Sequence, residues 1–175
     1  MDMINLLIAQ NNYNIYRSCE SIIENSKGRE IVFLCVGNPK IWFDSFGPMM
    51  GSLLKQLNLE KFIYGNVDAP ITSNNLESYI ELIYKFHINP YIVVIDSSLS
   101  KSEESIVKIK DGSITCGALG NNPISVGDMY ITYTINLSQA KSPSNYKQML
   151  RSIKQVARMI YFVFLEDGYL KLKNI

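Results

Sequence analysis

Short unbroken apolar runs alternate along this chain with stretches in which apolar residues recur every three to four positions. That alternation predicts strands buried on both faces, interleaved with helices. The clearest case is the stretch 31–51, IVFLCVGNPKIWFDSFGPMMG. Residues 31–36 are continuously apolar and rich in β-branched side chains, which predicts a buried strand. Gly37-Asn38-Pro39 breaks it. Met49, Met50, Leu53, Leu54 and Leu57 then follow with helical spacing, and Pro48 suits the first turn of that helix. Residues 91–95 (YIVVI) form a second fully apolar run and predict a second buried strand.

The remaining elements fit around these two. Residues 4–25 carry Leu7, Ile8, Tyr13, Tyr16, Cys19, Ile22 and Ile23 at helical spacing, and Gly28 is a suitable terminator. Residues 61–68 (KFIYGNVD) predict a short strand that ends at Ala69-Pro70. A helix follows over 76–86, with Asn74 and Glu77 spaced as a capping pair. Residues 105–110 alternate polar and apolar, Asp111-Gly112 is a hairpin signal, and 113–119 continue the pattern, so an antiparallel ribbon is expected. Residues 120–127 (GNNPISVG) read as an irregular loop that either binds something or only connects. A strand is predicted over 128–135. Lys141-Ser142-Pro143-Ser144 opens a long helix with Met149, Ile153, Val156, Ala157, Ile160 and Phe164 as its apolar stripe. Asp167-Gly168 turns the chain, and 169–172 predict a short strand. Together these elements predict an α/β protein with a mostly parallel sheet. It forms one domain over 1–175, with the N-terminal helix (1–28) packed on an α/β core (30–175).

Two carboxylates stand out in this arrangement. Asp44 follows the first buried strand and Asp96 follows the second. In parallel neighbouring strands both would lie on one rim of the sheet, where α/β proteins bind ligands. A plainer role is open to each: Asp44 and Ser45 are favoured helix caps, and Asp96 suits a turn. The single histidine, His87, ends the 76–86 helix, where a cation complements the helix dipole.

Composition narrows the possibilities. The 175 residues include 17 Lys and Arg against 16 Asp and Glu, a net charge of +1, which gives no support for a nucleic-acid partner. With 47% hydrophobic and 19% charged residues the chain is a folded domain. Cys19, Cys35 and Cys116 are an odd, scattered set without metal-ligand spacing, which points to a reducing cytosol. Asp2 and the absence of a basic leader argue against a signal peptide, and no apolar run is long enough to span a bilayer. No cofactor fingerprint and no metal-ligand set is present.

The stretches VGNPKIWFDSFGPMMG, YGNVDAPITSNNLE, IVVIDSSLS and ITCGALGNNPISVGDMYIT, in this order and closed by an amphipathic helix, resemble the sporulation proteins of the YyaC type. The resemblance runs from about residue 31 onward. That family in turn is similar to the spore germination protease and the hydrogenase maturation proteases. The resemblance implies a three-layer α/β/α sandwich and an aspartate pair that hydrolyses peptide bonds, which here would be Asp44 and Asp96. It further implies a protein or peptide substrate, such as small spore proteins, and a cytoplasmic location in the sporulating cell or forespore. Two departures are visible. Hydrogenase maturation proteases use a histidine with carboxylates to sense nickel, and His87 lies in the wrong part of the chain for that. Ser97-Ser98 also replaces the Asp-Ala continuation of the germination protease.

The leading expectation is therefore a peptidase. One carboxylate would activate water and the other would protonate the leaving amine. Gly37, Asn38, Gly47, Ser97 and Asp128 are the expected substrate contacts, with main-chain N–H groups near Gly37 or Gly47 facing the oxyanion. The rivals are a non-catalytic peptide- or protein-binding module of the same fold, and a metal-dependent hydrolase using Asp44, Asp96 and Asp128.

Overall fold

The structure is a computed structural model that describes residues 3–59, 63–101, 105–116, 123–139 and 142–168, with the side chains of the first helix described from Asn12 on. Among the described residues, four α-helices and seven strands follow in chain order: α1 (Met3–Ser26), β1 (Ile31–Cys35), α2 (Phe46–Leu54), β2 (Ile63–Tyr64), α3 (Leu76–Phe86), β3 (Tyr91–Ser100), β4 (Ile106–Asp111), β5 (Ile114–Cys116), β6 (Ile124–Val126), β7 (Met129–Asn136) and α4 (Pro143–Glu166). The main sheet has the order β2-β1-β3-β7-β4. Its first four strands are parallel, and β4 closes the edge antiparallel to β7.

All five residues of β1 are buried, as are the first six of β3, because both faces of the sheet are covered. Phe33, Cys35, Val93 and Ile95 point into a layer made with α1, α2 and α4, while Val32, Leu34, Ile92 and Val94 meet Leu76 and Ile83 of α3. The alternation follows from the two-residue period of a strand. The result is a three-layer α/β/α sandwich, as the family resemblance implies. The stripe of α4 is buried from Met149 to Phe164, and α1 packs along α4.

Several expectations need correction. No ribbon forms between β4 and β5. The chain leaves the main sheet at Asp111-Gly112, and β5 pairs with β6 in a separate two-stranded sheet. That small sheet lies over the α3 face, where Cys116 and Val126 join the core. Residues 124–126, expected within a loop, are thus a strand. The strand expected over 61–68 is reduced to Ile63–Tyr64 among the described residues. The capping pair Asn74 and Glu77 is not formed. Asn75 is the residue before the helix, and its Oδ1 accepts the Thr72 N–H (2.8 Å) while its Nδ2 donates to the Pro70 carbonyl (3.2 Å). The strand expected over 169–172 lies outside the described residues.

One topological detail positions everything that follows. From β1 the chain moves through α2 to β2 on one side. It then crosses the opposite face through α3 to β3 on the other side. The strand order therefore reverses between β1 and β3, and a crevice opens beyond their carboxyl ends.

Candidate active site

The crevice holds a cavity of about 530 Å³, within the ~300–1,000 Å³ of ordinary ligand pockets. Its walls come from four places: the β1–α2 loop, the loop before α3 (Thr72-Ser73-Asn74), the end of β3, and β5. Asp44 and Asp96 both line it. Among the described residues they are its only charged side chains.

Asp44 is placed by its own loop. Gly37 has φ +136°, a conformation that favours glycine, and its N–H donates to the Ile71 carbonyl (2.8 Å). A Cβ at Gly37 would strike the Asp44 carbonyl oxygen. The loop returns through a 3₁₀ turn at Trp42–Asp44, and Asp44 Oδ2 accepts the Asn38 N–H (2.8 Å). Neither expected cap is used: among the described residues no side chain caps α2, and the Ser45 hydroxyl donates backward to the Trp42 carbonyl (2.7 Å). The Asp44 carboxylate is thus free of the plainer role open to it.

Asp96 is placed by the length of β3. The strand does not end at Asp96 but runs on to Ser100 beside β7. Its pairing with β1 stops at Cys35↔Ile95. Asp96 is the first residue beyond that limit and points to the α3 face, where it is 8% exposed. Its Oδ1 accepts the Ser97 N–H (2.7 Å), and the Cys116 thiol of β5 hydrogen-bonds to the same carboxyl group.

Electrostatics distinguish the two. Burial pushes Asp96 up from 3.8 to about 7; the Ser97 N–H and the Cys116 thiol pull it down, and the charge of Asp44 raises it further. Burial also raises Asp44, opposed by the Asn38 N–H. Asp44 is the more exposed of the two, and its charge acts on the buried Asp96. The repulsion between them is therefore felt by Asp96. Asp96 therefore keeps its proton up to the neighbourhood of neutrality, far above where an exposed carboxyl releases it.

The other expected contacts divide. Asn38 and Ser97 line the cavity, and Asn38 Oδ1 accepts the Lys40 N–H (3.0 Å). The Ser97 hydroxyl is buried without a hydrogen-bond partner among the described residues. Gly37 lines the cavity, but its N–H is committed to Ile71 and cannot face an oxyanion. Gly47 is not a cavity residue. It lies where α2 crosses the strand ends, and a Cβ there would run into the Val36 and Ile95 carbonyl oxygens. Asp128 is at the opposite end of the sheet, because it precedes its strand instead of following it. There its Oδ2 accepts the Ile92 N–H (2.9 Å) and its Oδ1 pairs with Arg29 (2.8 Å). It takes no part in a cluster with Asp44 and Asp96.

His87 is at that far end too. Its Nδ1 pairs with Glu30 (2.8 Å), and its Nε2 shares a hydrogen bond with the Tyr64 hydroxyl (2.8 Å). Among the described residues, no three His, Cys, Asp or Glu side chains are close enough to share a metal ion. A nickel site built from histidine and carboxylates does not fit this donor set. Sequence reasoning missed Thr72-Ser73-Asn74, read only as the approach to a helix, and Cys116, whose contact with Asp96 depends on a long-range pairing.

A three-layer sandwich with two carboxylates at the reversal of strand order defines the class: an α/β protein with its crevice at the carboxyl ends of the strands. Its fold is similar to a [NiFe] hydrogenase maturation protease, HycI from Thermococcus kodakarensis KOD1, with a TM-score of 0.52 at 19% identity over 81% of this chain and 97% of that one. The chain belongs to the family described as protein of unknown function (DUF1256), whose model matches residues 4–162. It is 32% identical over 121 residues to a Bacillus subtilis (strain 168) protein, "Uncharacterized protein YyaC". That match takes in 67% of this chain and 59% of the relative's length. Among the described residues no helix is long and apolar enough to cross a membrane.

Proposed function

We propose that this protein is a peptidase in which Asp44 and Asp96 divide the two proton-transfer roles. One observation carries the reading: two carboxyl groups with different environments line one cavity, Asp44 partly buried and Asp96 buried and raised to about 7. Such a pair supplies base and acid at once near neutral pH. Asp44, ionised, takes a proton from water as the oxygen attacks the scissile carbonyl. Asp96, protonated, gives its proton to the leaving amine. The Asn38 main-chain N–H is held by Asp44, so the donor for the developing oxyanion is the Asn38 side-chain Nδ2, a contribution of about 3 kcal/mol per donor. A Ser-His-Asp mechanism has no support, since His87 and the pair sit at opposite ends of the sheet.

The substrate is a protein or peptide, and the likeness of the chain to the sporulation proteins of the YyaC type supports small spore proteins in the cytosol of a sporulating cell or forespore. The test is an incubation of the purified protein with a spore-protein extract, read by mass spectrometry, beside Asp44→Asn and Asp96→Asn. Defined new termini with the wild type alone are expected. Equal cleavage by Asp44→Asn would overturn the mechanism. Absence of cleavage across pH and metals would favour a binding module of the same fold.

A further inference from the structure

We propose that an extended peptide segment docks as an added strand on the free edge of β3, beside the two aspartates. The inference rests on the peptidase reading for the identity of the occupant, but its geometry stands apart from catalysis.

Among the described residues, β3 has a neighbouring strand on one side only beyond Ile95. The register with β1 ends at Cys35↔Ile95, while the register with β7 continues through Ser100↔Asn136. The last main-chain bond on the β1 side is from the Val36 N–H to the Ile95 carbonyl (2.8 Å). Peptide groups alternate sides along a strand. Tyr91 and Ile95 bond toward β1, and Ile92 bonds toward β7. Ser97 and Leu99 therefore aim their N–H and carbonyl groups at the side β1 has vacated. The Ser97 N–H is taken by Asp96 Oδ1. Among the described residues no strand pairs with the rest of this edge.

An exposed edge of this kind is ordinarily a liability, blunted by charge, proline or a covering segment. Here residues 97–100 are Ser-Ser-Leu-Ser, without charge or proline, and the edge opens into the cavity between Asp96 and the Thr72-Ser73-Asn74 wall. An extended chain laid along it would be held by main-chain hydrogen bonds, the mode of strand addition. Its backbone would run past Asp96 and face Asp44. Uncharged wall residues, among them Ile41, Phe43 and Ile114, would receive its side chains. The recognised chemistry is thus an unfolded or extended polypeptide, uncharged at the residues next to the aspartates. A folded surface or a free amino acid does not match it.

The test uses two pools of random decapeptides with uncharged central positions, one with ordinary amides and one N-methylated at alternate residues. Amide hydrogen exchange at Leu99 is followed in full-length Asp44→Asn, so that nothing is cleaved. The expected result is exchange slowed about tenfold or more by the ordinary pool and unchanged by the N-methylated pool. No slowing by either pool, or equal slowing by both, would overturn strand docking. Wild-type protein with the ordinary pool, read by mass spectrometry, tests the peptidase separately. Protection of Leu99 without cleavage keeps the docking edge and removes the peptidase. Cleavage without protection does the reverse. Leu99→Pro, which deletes that edge donor, should abolish retention of the ordinary pool on the immobilised protein, while Leu99→Ala, which keeps the donor, should retain it.

Discussion

Replacing Asp96 with asparagine should change how stability depends on pH more than it changes stability itself. Asp96 is 8% exposed and its carboxyl is raised from 3.8 to about 7. The folded state therefore holds a proton that the unfolded chain releases at much lower pH. The stability this proton provides is complete below 3.8 and is lost as pH rises toward 7. Each pH unit in that window removes about 1.4 kcal/mol. Between pH 5 and pH 8 the wild type should lose about 2 to 3 kcal/mol, a large part of a typical domain's margin. Asparagine has no proton to lose, and its shape matches the protonated acid. Asp96→Asn should therefore be nearly flat over the same interval and more stable than the wild type at pH 8. Urea unfolding of both proteins at pH 5, 6.5 and 8 measures this directly. A wild type and variant with parallel pH dependence would refute the buried, proton-holding environment of Asp96. The acid role assigned to it would fall at the same time.

The same environment gives a bell-shaped profile for kcat/KM, with a base limb from Asp44 shifted upward by its burial and an acid limb near pH 7, measured on any peptide identified as cleaved. The Cys116 thiol lowers Asp96, so Cys116→Ala should move the upper limb to higher pH, and Cys116→Ser should restore it. Asp44→Asn should reduce turnover by about 100-fold or more with unfolding unchanged, whereas His87→Ala should leave turnover intact and cost about 1 to 2 kcal/mol in urea unfolding through its bonds to Glu30 and Tyr64. Gly47→Ala places a Cβ against two carbonyl oxygens and should destabilise the fold by about 3 kcal/mol, read by the same unfolding assay.

What the sequence made legible follows from how local each signal was. β1 and the apolar start of β3 announce themselves because a strand covered on both faces has no polar position to dilute it. The stripe of α4 was equally plain. The partners of β4 and β5 were not legible, since pairing is decided by distant residues: the Asp111-Gly112 turn looked like a hairpin whichever sheet its arms joined. Asp44 and Asp96 could be brought to one rim because each follows an apolar run that sets a strand's direction. Asp128 precedes its run, and the same directional argument applied to it would have sent it to the opposite rim, where Arg29 holds it. Gly47 was misjudged for a different reason. A glycine needed for a close crossing and a glycine facing a ligand look alike until the crossing backbone is known.

That crossing has a mechanical meaning for the whole molecule. At Gly47, main chain rests on main chain, with no side chain between α2 and the carbonyls of Val36 and Ile95. The loop bearing Asp44 and the strand bearing Asp96 are thereby kept apart by the thickness of polypeptide itself. Elsewhere in the interior, volumes can be traded between neighbours over evolutionary time, and helices can slide to follow. A spacer made of backbone does not take part in such trades, so the span between the two carboxyl groups is gauged independently of the oily layer beneath it.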